Sequence, residues 1–246
     1  MTDTLIVIPA RLKSQRFSEK LIRKIHGREI IVWVAQRIST LGVKFVIAID
    51  DMKIGEILQA YQLPFILTDK DHVSGTSRLS QVAELMPNFD FYCSVQGDEP
   101  LIDPLEVAKF IKQGEKIAAD YLNAVSRFSK FEDPKDASNV KAVVSSTSRL
   151  IYASRSVIPF SKIKKKSEYL QICGLYLFSK EFILNYKYLP QSKLEALEKI
   201  EQLRCLELDI TIQTLEIDGE MLSVDTHKDF KKISGISRDS FTLGII

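Results

Sequence analysis

Short β-branched apolar runs alternate along this chain with longer stretches of helical period. Residues 5–8 (LIVI) predict a fully buried strand that ends at Pro9 and Ala10. In residues 30–41, Ile30, Val34, Ile38 and Leu41 share one helical face, and Gly42 closes the element. Residues 44–49 (KFVIAI) predict a second buried strand, 53–61 a short helix and 63–67 a third strand. This βαβαβ alternation predicts an α/β fold: a mostly parallel sheet, helices on both faces and right-handed crossovers.

Further on, 77–85 and 104–117 predict helices, with Pro104 suited to a first turn. Residues 89–95, 121–128, 139–145, 169–178 and 210–217 predict strands. Residues 182–188 predict a short helix, ended by Pro190, and a last helix starts at Lys228. The clearest helical pattern is 194–208 (LEALEKIEQLRCLEL). There Glu195, Glu198 and Glu201 form an acidic stripe beside the apolar one. Such stripes are mostly solvated, although Glu201 and Gln202 could face a site.

The polar residues that follow the strands carry the candidate chemistry. After the first strand, Arg11, Lys13, Arg16 and Lys20 place four cations in one loop around Ser14 and Gln15. A buried strand opening into a cationic loop is how α/β folds bind phosphate at the carboxyl edge of a sheet. Arg meets phosphate as a planar fork and Lys as a point charge. A plain solvated loop is the competing explanation. Residues 68–78 (TDKDHVSGTSR) set Gly75 between Ser74 and Thr76, which offers N–H groups and hydroxyls to a ligand or simply caps a helix. In QGDEP (96–100), Asp98 is a hard oxygen ligand suited to Mg²⁺, or else a turn residue, and Gly97 permits close backbone approach. Asp225 is a second acid placed after an apolar segment. Two such acids and a cationic loop make a nucleotide–Mg²⁺ site plausible from chemistry alone. Lys141, inside the apolar run 140–144, either snorkels or serves a site. None of His26, His72 and His227 has triad-like neighbours; His26 and His227 are read as structural, His72 as a neighbour of the site.

Composition narrows the classes. The 246 residues suit one large or two small globular domains. Lys and Arg number 34 against 32 Asp and Glu, a net charge of +2, so no overall basic field points to nucleic acid and phosphate binding must be local. The basic run Lys162, Lys164, Lys165, Lys166 lacks an aromatic ladder and reads as a solvated loop. Three scattered cysteines suggest neither disulfides nor a zinc site, and are read as reduced residues of a cytoplasmic protein. No leader or membrane insertion is expected.

IPARLKSQRFSEK resembles the PAR-x-x-S-x-R-x-x-x-K signature of nucleotide-sugar-forming transferases. DHVSGTSR, VQGDEP, SNVKAVV, IYASRSVIP, LEALEKIEQLR and VDT follow in the order found in the CMP-Kdo synthetase (3-deoxy-manno-octulosonate cytidylyltransferase) family. The resemblance covers nearly the whole chain. It implies a Rossmann-like α/β fold of the nucleotide-diphospho-sugar transferase type and a single domain, 1–246, that forms a homodimer through a smaller lobe at about 126–188. It also implies a cytidylyltransferase that activates a 3-deoxy-2-ulosonic sugar acid with CTP, releasing pyrophosphate, for lipopolysaccharide or capsule synthesis. Pro9, Ala10, Arg11, Ser14 and Lys20 would meet CTP, with Arg11, Ser14 and Lys20 on its phosphates. Ser74, Gly75, Thr76, Arg78 and Gln96 would surround cytosine and ribose. Asp98 and Asp225 would hold Mg²⁺, and Arg155, Tyr176, Glu201 and Gln202 would face the sugar acid.

The chain departs from the family pattern at three places. Ser18 and Glu19 stand where Pro-Gly usually precedes the lysine, which should weaken phosphate binding modestly or reshape the loop. Ser77 replaces an acid. Gln171 and Ile172 replace an Arg-His pair near the sugar. Two alternatives therefore stand beside Kdo activation: the same chemistry on an 8-amino or different sugar acid, and a non-catalytic nucleotide-binding relative.

Overall fold

The computed structural model describes residues 3–13, 17–128, 132–162, 165, 168–218 and 222–242. Its strands are β1 (Thr4–Ala10), β2 (Lys24–Ile25), β3 (Arg28–Glu29), β4 (Phe45–Ile49), β5 (Phe65–Leu67), β6 (Phe91–Val95), β7 (Tyr121–Arg127), β8 (Lys141–Val144), β9 (Leu150–Ser154), β10 (Leu170–Ser179) and β11 (Gln213–Glu216). Its helices are α1 (Ile30–Ser39), α2 (Met52–Ala60), α3 (Gly75–Leu85), α4 (Pro104–Ile117), α5 (Lys180–Asn185), α6 (Lys193–Glu198), α7 (Gln202–Glu207), α8 (His227–Ser234) and α9 (Arg238–Thr242).

The main sheet runs β11-β7-β10-β6-β1-β4-β5. The β1 pairings with β4 and β6, β4 with β5, and β11 with β7 are parallel; β10 alone runs against its neighbours β6 and β7. Seven strands thus form the predicted mostly parallel sheet, and β8 and β9 extend it beyond β10. Burial on both faces explains the continuous apolar runs. Ile6 and Ile8 of β1 pack with α1, α4 and α8, while Leu5 and Val7 pack with α3, α5 and α7.

The first strand runs past its predicted end, since Pro9 and Ala10 stay in register with Ala48 and Ile49; proline costs the ladder only a donor. A hairpin of β2 and β3 also appears where none was predicted. His26 and Gly27 turn it with φ of 51° and 82°, the pair of positive angles a tight two-residue hairpin needs.

The largest departure is the predicted helix 194–208. It is two helices, α6 and α7, parted at Lys199, which takes a left-handed φ of 56°. The acidic stripe is not solvated. Glu195 is buried and meets the Arg204 guanidinium through two 2.7 Å hydrogen bonds. Glu198 accepts from the Ser154 hydroxyl at 2.6 Å and the Arg155 N–H at 2.9 Å. Folding α7 back on α6 lets the Glu195–Arg204 pair close, with the guanidinium over Tyr186.

Arg204→Ala leaves Glu195 buried without its cation. A loss of about 3 kcal/mol or more is expected, read as a lowered urea midpoint.

Candidate active site

The carboxyl ends of β1 and β6, the start of α3 and the segment before α8 meet in one cleft of about 730 Å³. Of the residues singled out above for nucleotide, metal or sugar, all line it except Lys13, which is exposed outside it, and Ser14 and Arg16, which lie outside the described residues. Three segments far apart in sequence are joined at its centre. The Lys20 ammonium contacts Asp98 and lies 2.9 Å from Asp225 Oδ1. Val224 N–H donates to the Asp98 carbonyl at 2.9 Å, so backbone also ties the two acidic segments together. Burial opposes the charge on Lys20, but Asp98 and Asp225 outweigh it and hold its pKa above the ordinary lysine value.

The Lys20 loop is fastened by Phe17, which is buried against His227, 4.3 Å between ring centroids, and against Phe230. Glu19 precedes Lys20 with φ 55°, and its carboxylate turns to Lys53 at 2.6 Å. Asp50, just after β4, accepts Leu12 N–H at 2.8 Å and faces Arg78 at 3.6 Å. Arg78 is 3% exposed; it also donates to the Thr68 hydroxyl and to the Asp69 carbonyl at 3.2 Å. It lines the cleft but holds the loops around it.

Ser74 caps α3: its hydroxyl accepts Ser77 N–H at 3.1 Å, and the Ser77 hydroxyl accepts Ser74 N–H at 3.2 Å. Ser77 thus completes a capping box, the task an acid at that position could also perform. Gly97 is required by contact, because a Cβ there would lie 3.0 Å from both the Pro9 carbonyl and Ile31.

On the opposite wall, Arg155 donates to the carbonyls of Glu198 (2.7 Å), Ala137 (2.8 Å) and Lys199 (3.2 Å). It clasps the α6–α7 turn to the 132–139 loop. Lys141, fully buried, gives the same loop two bonds, to the Asn139 carbonyl at 2.6 Å and the Asp136 carbonyl at 3.1 Å. It neither snorkels nor enters the cleft. Gln171 donates to Glu132 at 2.8 Å and to Ser126 at 3.4 Å. Burial first, then Glu201, raises the Tyr176 phenol above its ordinary range. His72 meets Gln81 at 2.7 Å, and His26 meets the Ile236 carbonyl at 2.8 Å.

Two residues of this wall were not foreseen. Glu99 is buried beneath Asp98, and its Oε2 has no hydrogen-bond partner. Burial, then Asp98 and Asp225, push its pKa well above the ordinary carboxylate value, while Lys20 and the Gly174 N–H oppose. A Cβ at Gly174 would come 2.5 Å from that carboxylate and from Gln96, so glycine is needed there. Asn123 in β7 is fully buried and accepts from Gln202 at 2.8 Å. A lone Asn in the otherwise apolar start of β7 was the available signal.

Asp98 and Asp225 both reach one ammonium, so both could reach one small cation. Two carboxylates suit Mg²⁺, which takes its other ligands from water and substrate phosphate. Among the described residues no group of three His, Cys, Asp or Glu is gathered for a metal, and no helix is long and apolar enough to cross a membrane.

A family model described as Cytidylyltransferase matches residues 5–212. A 3-deoxy-manno-octulosonate cytidylyltransferase of Nitratiruptor sp. is 34% identical over 236 residues, covering 94% of this chain and 98% of the relative. The Escherichia coli enzyme of the same name is 33% identical, covering 96% of each. The chain belongs to the 3-deoxy-manno-octulosonate cytidylyltransferase family. Among solved structures, a CMP:2-keto-3-deoxy-manno-octonic acid synthetase complexed with CTP superposes with a TM-score of 0.87 at 33% identity, covering 95% of this chain and 97% of that one. Family members are nucleotidyltransferases, and the α/β architecture expected from the strand pattern is theirs.

Asp50→Ala removes the acceptor of Leu12 N–H. Hydrogen exchange at that amide should speed by about tenfold, the loss of one net hydrogen bond, while β1 core amides stay protected.

Proposed function

We propose that this protein transfers the cytidylyl group of CTP to a 3-deoxy-2-ulosonic sugar acid, Kdo in the first instance, with release of pyrophosphate. The observation that carries this is the junction of Lys20 with Asp98 and Asp225 at the carboxyl edge of the sheet, in a chain of this family.

The hydroxyl on the carbon that bears the acceptor's carboxylate attacks the α-phosphorus in line. The bond from that phosphorus to the bridging oxygen breaks, pyrophosphate leaves, and the hydroxyl proton passes to solvent. The protein's share is positioning and charge neutralisation. Arg11 and Lys20 hold the phosphates and stabilise the leaving pyrophosphate; Ser14 joins them. Pro9, Ala10, Ser74, Gly75, Thr76 and Gln96 enclose the nucleoside, with Arg78 fixing their loops. Tyr176, Glu201 and Gln202 face the acceptor, their turn held by Arg155. Asp98 and Asp225 would hold Mg²⁺, which supplies charge compensation at the α-phosphate. Lys20, which joins the two acids here, would turn from them to the nucleotide's phosphates.

Pairing of two copies through residues of about 126–188 belongs to the same proposal. The exposed Phe160, Val157 and Ile151 of that stretch support it. Sedimentation showing only the single-chain mass would overturn it.

The first test is pyrophosphate release from CTP and Mg²⁺ with Kdo, an 8-amino analogue and a nonulosonic acid in parallel. Turnover with Kdo is expected. Turnover only with another acid would assign Gln171 and Ile172 a changed acceptor pocket; silence with all three despite CTP binding would leave a nucleotide-binding protein without catalysis. Lys20→Met should lower kcat/KM by about a hundredfold or more, the scale of losing one charge-stabilising donor. Asp98→Asn should abolish the response to Mg²⁺; if turnover still rises with Mg²⁺ as before, the metal assignment fails.

A further inference from the structure

Asn123 is a fully buried amide in a central strand. Its surroundings come from an irregularity in the neighbouring strand. Between Ile172, opposite Val125, and Tyr176, opposite Asn123, β10 advances four residues while β7 advances two. The ladder is interrupted, and the Cys173 carbonyl turns to the Asn123 side chain. Asn123 Nδ2 donates to that carbonyl at 3.3 Å and to the Ala124 carbonyl at 2.8 Å.

Both of these partners can only accept, so they settle which end of the Asn123 amide is nitrogen. Its Oδ1 is therefore held as an acceptor, and Gln202 Nε2 donates to it at 2.8 Å in a buried setting. Reversing the Gln202 amide would set two carbonyl oxygens against each other away from water, at the cost of an unmade buried hydrogen bond. With its nitrogen committed to Asn123, Gln202 has its carbonyl oxygen left for recognition. Gln202 lines the cleft.

We propose that Asn123 is a positioning residue for the acceptor: it locks the Gln202 carboxamide nitrogen inward, so that the cleft wall offers the Gln202 carbonyl oxygen as an acceptor in fixed polarity. A polyhydroxylated acid, whose hydroxyls can donate to it, is the class of ligand such an acceptor selects. A residue serving only the bulge would satisfy the Cys173 and Ala124 carbonyls and leave Gln202 free to turn. The inference rests on the proposal that Gln202 and Tyr176 face the sugar acid, while the orientation of Gln202 is independent of it.

The test has two arms. In the unmodified protein, NMR should show the two Gln202 carboxamide protons, assigned by their absence in Gln202→Met, as separate and slowly exchanging. Averaged, fast-exchanging protons would overturn the lock without any need for an Asn123 variant. In the kinetic arm, Asn123→Ser should raise KM for the sugar acid by about tenfold, the worth of one neutral hydrogen bond, with KM for CTP and kcat changed by less than about twofold. The double variant Asn123→Ser/Gln202→Met should be no worse than Gln202→Met alone. An equal rise in both KM values, an unchanged KM for the sugar acid, or additive losses in the double variant would make Asn123 merely structural. If the unmodified protein turns over no sugar acid, the proposed substrate fails, and the exchange of the Gln202 amide still decides the lock.

Discussion

Two unit charges about 4 Å apart in a partly desolvated setting interact by about 4 kcal/mol, so Asp98 and Asp225 need a cation between them. Lys20 supplies it, and its place depends on much of the surrounding chain. Phe17 must be seated against His227 and Phe230, and Glu19 must adopt its left-handed angle. The Val224–Asp98 backbone bond must bring the last acidic segment to the sheet edge. The ammonium is thus a structural cation, and the two carboxylates it joins hold it charged against its burial.

Sheet direction divides the cleft. The strand ends that carry Arg11, Gln96 and Asp98 belong to the parallel strands β1 and β6. The wall with Gln171, Ile172 and Tyr176 belongs to β10, the strand that runs the other way. An antiparallel strand inserted beside β6 lets its middle, rather than its end, line the cleft. Its irregular stretch at 173–175 brings Gly174 under Glu99 and Gln96, where no other residue fits.

The strands and the cationic loop were legible because burial on two faces leaves continuous apolar runs, and charges after such runs are conspicuous. What sequence could not show is where long polar side chains spend their donors. Arg78 and Arg155 read as ligand-binding cations, but most of their donors go to protein oxygens. The break at Lys199 was hidden because residues 194–208 keep helical period throughout; the Glu195–Arg204 salt bridge decides it together with three bonds from Arg155, two to the Glu198 and Lys199 carbonyls and one to the Glu198 carboxylate. Tertiary contacts outweigh propensity there, since the break costs about one residue's left-handed strain, roughly 1–2 kcal/mol.

The departures from the family pattern are absorbed unequally. Glu19 takes the positive φ that a glycine would take freely, and its charge leaves the phosphate side for Lys53 on α2. The cost is local strain, and the cationic face of the loop is kept. Gln171 is different. It replaces a cation by a neutral amide in a buried position, with Glu132 as its hydrogen-bond partner. The electrostatics of the β10 wall change there, while the Lys20–Asp98–Asp225 junction on the other side keeps its charges. The change in charge therefore falls on the β10 wall, while the changes at Glu19 and Ser77 leave the charges at the carboxyl edge of β1 and β6 in place.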